Sequence, residues 1–381
     1  MLLDATRRRL LTGVALAATA LATPAIAADD IVVGQIGPWT VLPVPDVPQL
    51  NLGLKSYFAQ VNARGGVNGR KISLFELDDA YSGAGFVKRF NEAMQRKPVA
   101  LLTPLGSEAL KRMFDDKLLD QHDVVVLNAV PGAESLRNPG HPRLFHLRAG
   151  DRQQVDKMVL HARTLGITKL FVMYETIPMG ESAVKMAKDA VQRVGQIEIS
   201  TLGAPRQPEP IAETAQKIAK AGTQCVLVLG SPRFSVDAIA QLRKAGVSQS
   251  MFAFSYVPSP LVSKVAGEEA ARGVGITQTF PNPVGVNTQL QRDFQAAMKE
   301  SAPQVAPTSY TSFHLEGYVT ARVLVEALRR SPQVTPEHLA RTLKTMGEID
   351  LGGFRVNFAK SNAGSSYVDI GVVTMAGRLM Y

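Results

Sequence analysis

The sequence predicts an α/β protein of two doubly wound lobes, each a parallel sheet covered by helices on both faces. Three observations lead there. Short apolar strands alternate with helical stretches over short connections, and the same order of elements begins again after residue 150. About 350 residues also remain once an amino-terminal targeting segment is set aside, more than one hydrophobic core usually serves. Helices between short apolar strands imply parallel pairing, because a parallel crossover lays its helix on the face of the sheet. No sequence repeat accompanies the repeat of order.

The chain opens with Thr6-Arg7-Arg8-Arg9 ahead of the apolar Leu10–Ala22, then Pro24 and Ala25-Ile26-Ala27. A basic stretch, an apolar stretch and small residues around a cleavage point make an export signal, with the mature chain expected from about Ala28. The apolar stretch is about 13 residues, against roughly 20 for a membrane span. The Thr-Arg-Arg-x-Leu-Leu order fits a twin-arginine signal and an ordinary secretory signal equally. No cysteine stands at the cleavage point, so a lipid anchor is not expected.

Ile31–Ile36 reads as the first strand. Leu54, Tyr57, Phe58 and Val61 then share one helix face at i, i+3, i+4, i+7. Gly65-Gly66-Val67-Asn68-Gly69 turns the chain into a strand at Lys71–Leu77. A helix around Phe86, Phe90 and Met94, a strand Val99–Thr103, a helix Leu110–Leu119 and a strand Val124–Leu127 complete the first series. The second runs through strand Leu170–Tyr174, helix Val184–Val194, helix Ile211–Ala221, strand Cys225–Leu229, helix Val236–Ala245 and strand Met251–Phe254. The last third departs from this order. Gly273–Thr279 is a strand, Pro281-Asn282-Pro283 a break, and Thr288–Glu300 and Thr308–Arg330 are long helices. Thr335 and Pro336 give the next helix an N-cap and a first-turn proline. Asp369–Met375 and Arg378–Tyr381 form a closing hairpin around Ala376-Gly377.

Composition excludes several function classes. Removing three Arg and one Asp with residues 1–27 leaves 39 basic against 32 acidic residues, a net charge of +7. That charge is spread without a dense block, so nucleic-acid binding is not expected. The sole cysteine, Cys225, lies in an apolar strand and reads as a packed thiol. His141 and His146 sit five apart in a loop, which is no metal pattern, and no metal or cofactor is expected. The sequence lacks G-x-S-x-G, phosphate-loop, C-x-x-C and H-E-x-x-H motifs, so no enzyme is expected. Asp78-Asp79, two adjacent acids at a strand end, are not expected to be catalytic.

The order of motifs resembles the branched-chain amino-acid (Leu/Ile/Val) type of periplasmic binding proteins, the type I solute-binding fold of ABC importers. It is carried by Val32-Val33-Gly34-Gln35-Ile36-Gly37-Pro38, Val61–Ile72 with its Gly65-Gly66-Val67-Asn68-Gly69, and Asp78-Asp79. Pro104-Leu105-Gly106-Ser107, Gly132–Arg137, Ala266–Val274 and Tyr318–Arg330 extend it in order across nearly the whole mature chain. The resemblance implies two lobes joined by three crossovers, expected near Arg148–Asp151, Gln278–Pro281 and Gly352–Phe354. Residues 28–148 with 281–352 would form the first lobe, and 149–280 with 353–381 the second. It further implies a periplasmic monomer that closes on a small-molecule ligand and hands it to an ABC permease in the inner membrane. A sensor passing closure to a signalling partner shares the same fold and stays open as an alternative.

The same resemblance implies the site. Ser107 matches the ligand-contacting serine, with a plain helix cap as the other reading. Gly132 and Ala133 match the loop whose amides and hydroxyl hold the ligand carboxylate; Gly132 replaces the usual threonine and Pro131 has no N–H to offer. The ammonium-binding acid falls at Ser255, with no Asp or Glu within several residues. A buried ammonium without a charged partner is costly, so the expected ligand is an aromatic or aliphatic carboxylate; an amino acid or amide is the alternative. Met179 matches the aromatic that covers the ligand, and Ser231 or Pro232 another aromatic position, close to Arg233. Arg148 and Arg233 are candidate partners for an anion. Trp39, with Pro38 and the proline-rich Pro43–Pro48, and Tyr256 are candidate walls of the cleft.

Overall fold

A computed structural model describes residues 29–41 and 46–381; the expected export signal and Pro43–Pro45 lie outside the described residues. Five parallel strands build the first sheet: β1 (Ile31–Gly37), β2 (Ile72–Asp78), β3 (Ala100–Leu102), β4 (Val125–Leu127) and β5 (Leu144–Phe145), in spatial order β2-β1-β3-β4-β5. Between them run α1 (Asp46–Ala63), α2 (Gly83–Gln95), α3 (Ser107–Asp115) and α4 (Leu118–Gln121). The chain winds outward from β1 to β2, then reverses to β3. The gap between β1 and β3 is therefore a switch point, where a crevice opens beyond the strands' carboxyl ends.

The second lobe repeats the device. Its strands are β6 (Lys169–Glu175), β7 (Glu198–Ala204), β8 (Cys225–Leu229), β9 (Ser250–Ala253) and β10 (Val274–Gln278), and its switch point lies between β6 and β8. Around them lie α5 (Asp151–Thr164), α6 (Pro178–Val194), α7 (Pro208–Lys220), α8 (Pro232–Lys244), α9 (Ser259–Ala266) and α10 (Glu268–Ala271). Each sheet is covered on both faces. Val226, Val228 and Met251 pack with Ile211, Phe234 and Ile239 on one face. Leu170, Val172 and Leu227 pack with Val155, Ala187 and Val191 on the other.

The chain then returns to the first lobe through α11 (Gln289–Ser301), α12 (Ser312–Arg330) and α13 (Pro336–Thr345) and a two-stranded hairpin, β11 (Ile349–Asp350) with β12 (Arg355–Val356). It ends in the second sheet, where β13 (Asp369–Val373) runs antiparallel to β10 and carries β14 (Leu379–Met380). Helices α1 and α12 cross backbone to backbone. A Cβ on Gly53 would lie 2.0 Å from the His314 carbonyl oxygen, and one on Gly317 2.0 Å from that of Leu50. Two glycines thus set how deeply Asp46, Phe313 and Glu316 reach into the cleft.

Several boundaries differ from the sequence expectation. The third crossover was expected near Gly352–Phe354, with the lobes divided at 352. Phe354 instead stacks on Phe280, centroids 5.2 Å apart, and Phe358 meets Phe145 edge-on at 5.2 Å, both inside the first lobe's core. Gly352 (φ 88°) and Gly353 (φ 112°) make the turn of the β11–β12 hairpin, and the chain crosses only after Phe358. Helix α12 starts at Ser312 and not Thr308, because Pro307–Ser309 makes one 3-10 turn and Tyr310 is extended. Helices α6 and α8 start early, on Pro178 and Pro232, which sets Met179 and Arg233 in their first turns. Strand β7, a half-exposed sheet edge, and α5 were not foreseen. Among the described residues no helix is long and apolar enough to cross a membrane.

Candidate functional site

Parallel strands send all their carboxyl ends to one edge of each sheet, so the loops after β1–β5 face those after β6–β10 across one cleft. Backbone strain gathers there. Ala80, Tyr81, Thr103 and Asn128 all have positive φ (50°, 53°, 48° and 64°), directly after β2, β3 and β4. Such conformations cost about 1–3 kcal/mol each in non-glycine residues and concentrate where geometry serves a site.

At the hinge end of the cleft every guanidinium nitrogen of Arg148 is occupied. Its Nε donates to Glu316 Oε1 at 3.1 Å, Nη2 to Glu316 Oε2 at 2.6 Å and Nη1 to Ser255 Oγ at 2.6 Å. The guanidinium lies 5.3 Å from the ring centres of both Tyr256 and Phe313. Asn128 fixes the group, donating to Glu316 at 3.0 Å and accepting from the Arg148 amide at 3.0 Å. Arg148 and Glu316 have fully buried side chains. Burial pulls the arginine's pKa down, but the charge and hydrogen bonds of Glu316 outweigh it and leave the pKa above its ordinary value. Asp46, from the start of α1, is pushed up to about 7 by burial, against the pull of Arg148.

Tyr256 bridges the lobes beside this pair. Its hydroxyl donates to Asp151 Oδ1 at 2.6 Å. The ring packs against a first-lobe cluster of Val47, Leu50, Leu105, Val130 and Phe313, which Trp39 also joins. A Cβ on Gly132 carries the explanation for the missing threonine: any substituent there would start 2.3 Å from both the Tyr256 hydroxyl and Asp151 Oδ1. Gly132 also accepts the Asp151 amide at 2.9 Å. Ala133 ends the same loop, half-buried against the first-lobe core.

The mouth end is built differently. Gly106 (φ 113°) takes the N-cap position and Ser107 is the first residue of α3, exposed and not itself the cap. Together with Asp79, Tyr81, Leu105 and Glu108 they line a cavity of ≈ 150 Å³. The first amides of a helix point outward with no partner within the helix and favour negative charge. Asp79 Oδ1 accepts the Tyr81 amide at 2.8 Å, whereas its buried Oδ2 has no partner among the described residues. Burial pushes this carboxyl up to about 6. Arg206, after β7 in the second lobe, is close enough for its charge to act on the Tyr81 hydroxyl. Leu105 belongs both to this cavity and to the cluster holding Trp39 and Tyr256, so the cavity adjoins that apolar wall. The Trp39 indole Nε1 is buried without a partner among the described residues.

Most of the remaining sequence candidates lie on the second lobe. The Ser231 amide donates to Glu175 Oε2 at 2.7 Å, and its hydroxyl is buried without a partner among the described residues. Met179 is half-buried against the second lobe's core. Ser255 is buried, its amide donating to Gln154 at 3.0 Å. Arg233 pairs with Asp237 on the exposed face of α8. Asp78 accepts from the Trp39 and Ala80 amides at 3.0 Å and from Thr40 at 2.6 Å, a turn-building role. His146 is buried and held neutral, its pKa pushed down to about 3 by burial, and burial pushes the Cys225 thiol up to about 12. No cluster of metal-ligating side chains occurs among the described residues. Sequence reasoning missed Asp46, Asp151, Glu175 and Glu316, acids brought to the cleft from positions remote in the chain from Ser255.

Residues 31–376 match the family described as periplasmic binding protein. An extracellular ligand-binding receptor from Verminephrobacter eiseniae is 49% identical, with 92% of this chain and all of that one aligned at a TM-score of 0.87. A substrate-binding periplasmic protein from Ralstonia solanacearum is 27% identical over 92% of this chain and 99% of its own, at a TM-score of 0.81. A Pseudomonas aeruginosa amino acid binding protein is 23% identical over 329 residues, 85% of this chain and 84% of its own.

Proposed function

The chain belongs to the periplasmic binding protein family, and we propose that it captures a small organic carboxylate in the periplasm and closes its lobes to deliver it, as a monomer, to an ABC permease. Members of this family bind solutes and are not enzymes. One observation carries the ligand class: Ser107, exposed at the first turn of α3, opens onto a cavity that an acid can reach. Hydroxyl and helix amides together suit a carboxylate. Arg148 does not compete for it, because Glu316 already neutralises that charge.

The cavity takes a head group only. At ≈ 150 Å³ it falls below the roughly 300–1,000 Å³ that encloses a whole drug-sized ligand. The body of the ligand lies against Leu105, Trp39 and Tyr256, an apolar wall suited to an aliphatic or aromatic acid. Closure about the three crossovers then brings Ser231 and Arg206 of the second lobe toward it.

An amino acid is the second reading. It is favoured by Glu175, which ends β6 beside the second switch point and carries the negative charge an ammonium requires. Calorimetric titration of the mature protein with paired carboxylic and amino acids of the same carbon skeleton separates the two. The carboxylate reading expects the acid without the amine to bind tighter in every pair. Tighter binding of the amino acids contradicts it.

A further inference from the structure

Asp79 is the one acidic group lining the mouth cavity whose buried oxygen is left open. The residue is 1% exposed; Oδ1 is taken by the Tyr81 amide at 2.8 Å, and Oδ2 has no partner among the described residues. A desolvated acceptor on a residue that lines a cavity costs free energy until something donates to it. The turn that holds it is strained at both Ala80 and Tyr81, and the Ser82 hydroxyl, within hydrogen-bond reach of the Asp79 carbonyl at 3.3 Å, also accepts the Gly85 amide. The carboxylate is thus fixed in place and not free to swing toward water.

Resting on the carboxylate reading above, we infer that this cavity takes a 2-hydroxy acid. Its carboxylate sits on Ser107 and the first turn of α3, and the hydroxyl on the neighbouring carbon donates to Asp79 Oδ2. Both partners line the same small cavity of ≈ 150 Å³, so one ligand head group can meet both. A hydroxyl fits better than an ammonium for two reasons. The positive end of α3 repels a cation at the same spot. An ammonium also needs a fully ionised partner, and burial favours the neutral form of Asp79. An unsubstituted acid would leave Oδ2 dry and unpaired.

The test uses matched trios of one carbon skeleton, such as 4-methylpentanoate with its 2-hydroxy and 2-amino derivatives, and phenylacetate with mandelate and phenylglycine, titrated into the mature protein. The hydroxy acid is expected to bind about tenfold tighter than the unsubstituted acid, as pairing one otherwise unsatisfied buried acceptor provides. Asp79→Asn should bring that ratio down toward one, and Ser107→Ala should weaken both acids. Equal binding of hydroxy and unsubstituted acids by the wild type, or an unchanged ratio in Asp79→Asn, overturns this inference and leaves the carboxylate reading standing. Amino acids binding tightest in every trio, or no acid binding at all, overturns both.

Discussion

Two groups of residues in the cleft are built from the same kinds of side chain and end in opposite states. At the hinge, Arg148, Glu316, Ser255, Asn128, Tyr256 and Asp151 satisfy one another through hydrogen bonds of 2.6–3.1 Å. At the mouth, Ser107 is exposed and Asp79 Oδ2 has no partner among the described residues. A polar group that is paired within the protein gains little by meeting a ligand, and one that is not gains much. On the proposed function, the Arg148 group works as a latch that fixes how the lobes meet, and the mouth end as the part that reads the solute.

This contrast breaks first at Glu316. Glu316→Ala would leave a fully buried arginine without its counter-charge, a change that costs about 3–5 kcal/mol when one partner of a buried pair is removed. Denaturant unfolding should show that loss; a loss below about 1 kcal/mol would mean water reaches Arg148. Next comes Gly132→Thr, which installs the threonine that the resemblance leads one to expect there. Overpacking against Tyr256 and Asp151 should cost about 1–3 kcal/mol, and the added Tyr256→Phe should recover part of it. Strict additivity of the two changes would show that Gly132 and Tyr256 do not meet.

The mouth should behave the other way. Ser107→Ala is expected to leave stability within about 0.5 kcal/mol, as an exposed substitution does, and to weaken carboxylate binding roughly tenfold or more. Loss of stability without loss of affinity would return Ser107 to a structural role. The smallest effect concerns pH. Burial raises Asp79 from the ordinary 3.8 to about 6, so between those values the unfolded chain has released a proton that the folded chain still holds. Stability from this group is complete below about 4 and is lost as pH rises through about 6. Melting of Asp79→Asn against wild type should show the variant gaining relative stability over that window. A constant difference across it would contradict the burial of this carboxyl.

Much of the fold was legible because buried parallel strands are short apolar runs: Cys225–Leu229 is read with the boundaries the structure gives. What escaped had weak or misleading local signals. Edge strand β7 alternates exposed and half-buried residues, and Gly352-Gly353 reads as a hinge until Phe354 and Phe358 are seen inside the first lobe's core. The site divided in the same way. In the proposed site, Ser107 is visible from its motif, and Gly132 as a departure from one. Glu316 is not, because 168 positions separate it from Arg148 and only the close crossing of α1 and α12 brings it into the cleft. Asp78 and Asp79 both accept turn amides, and only the buried, unpartnered Oδ2 of Asp79 tells the two apart.

The most direct test is a crystal structure with a bound carboxylate, the tightest binder from the titrations. The expected result has the carboxylate within hydrogen-bond distance of Ser107 Oγ and the first amides of α3, with the Arg148–Glu316 pair and its contact to Ser255 intact. A carboxylate seated on Arg148, with Ser255 or Glu316 displaced, would contradict the division of the cleft into latch and reader.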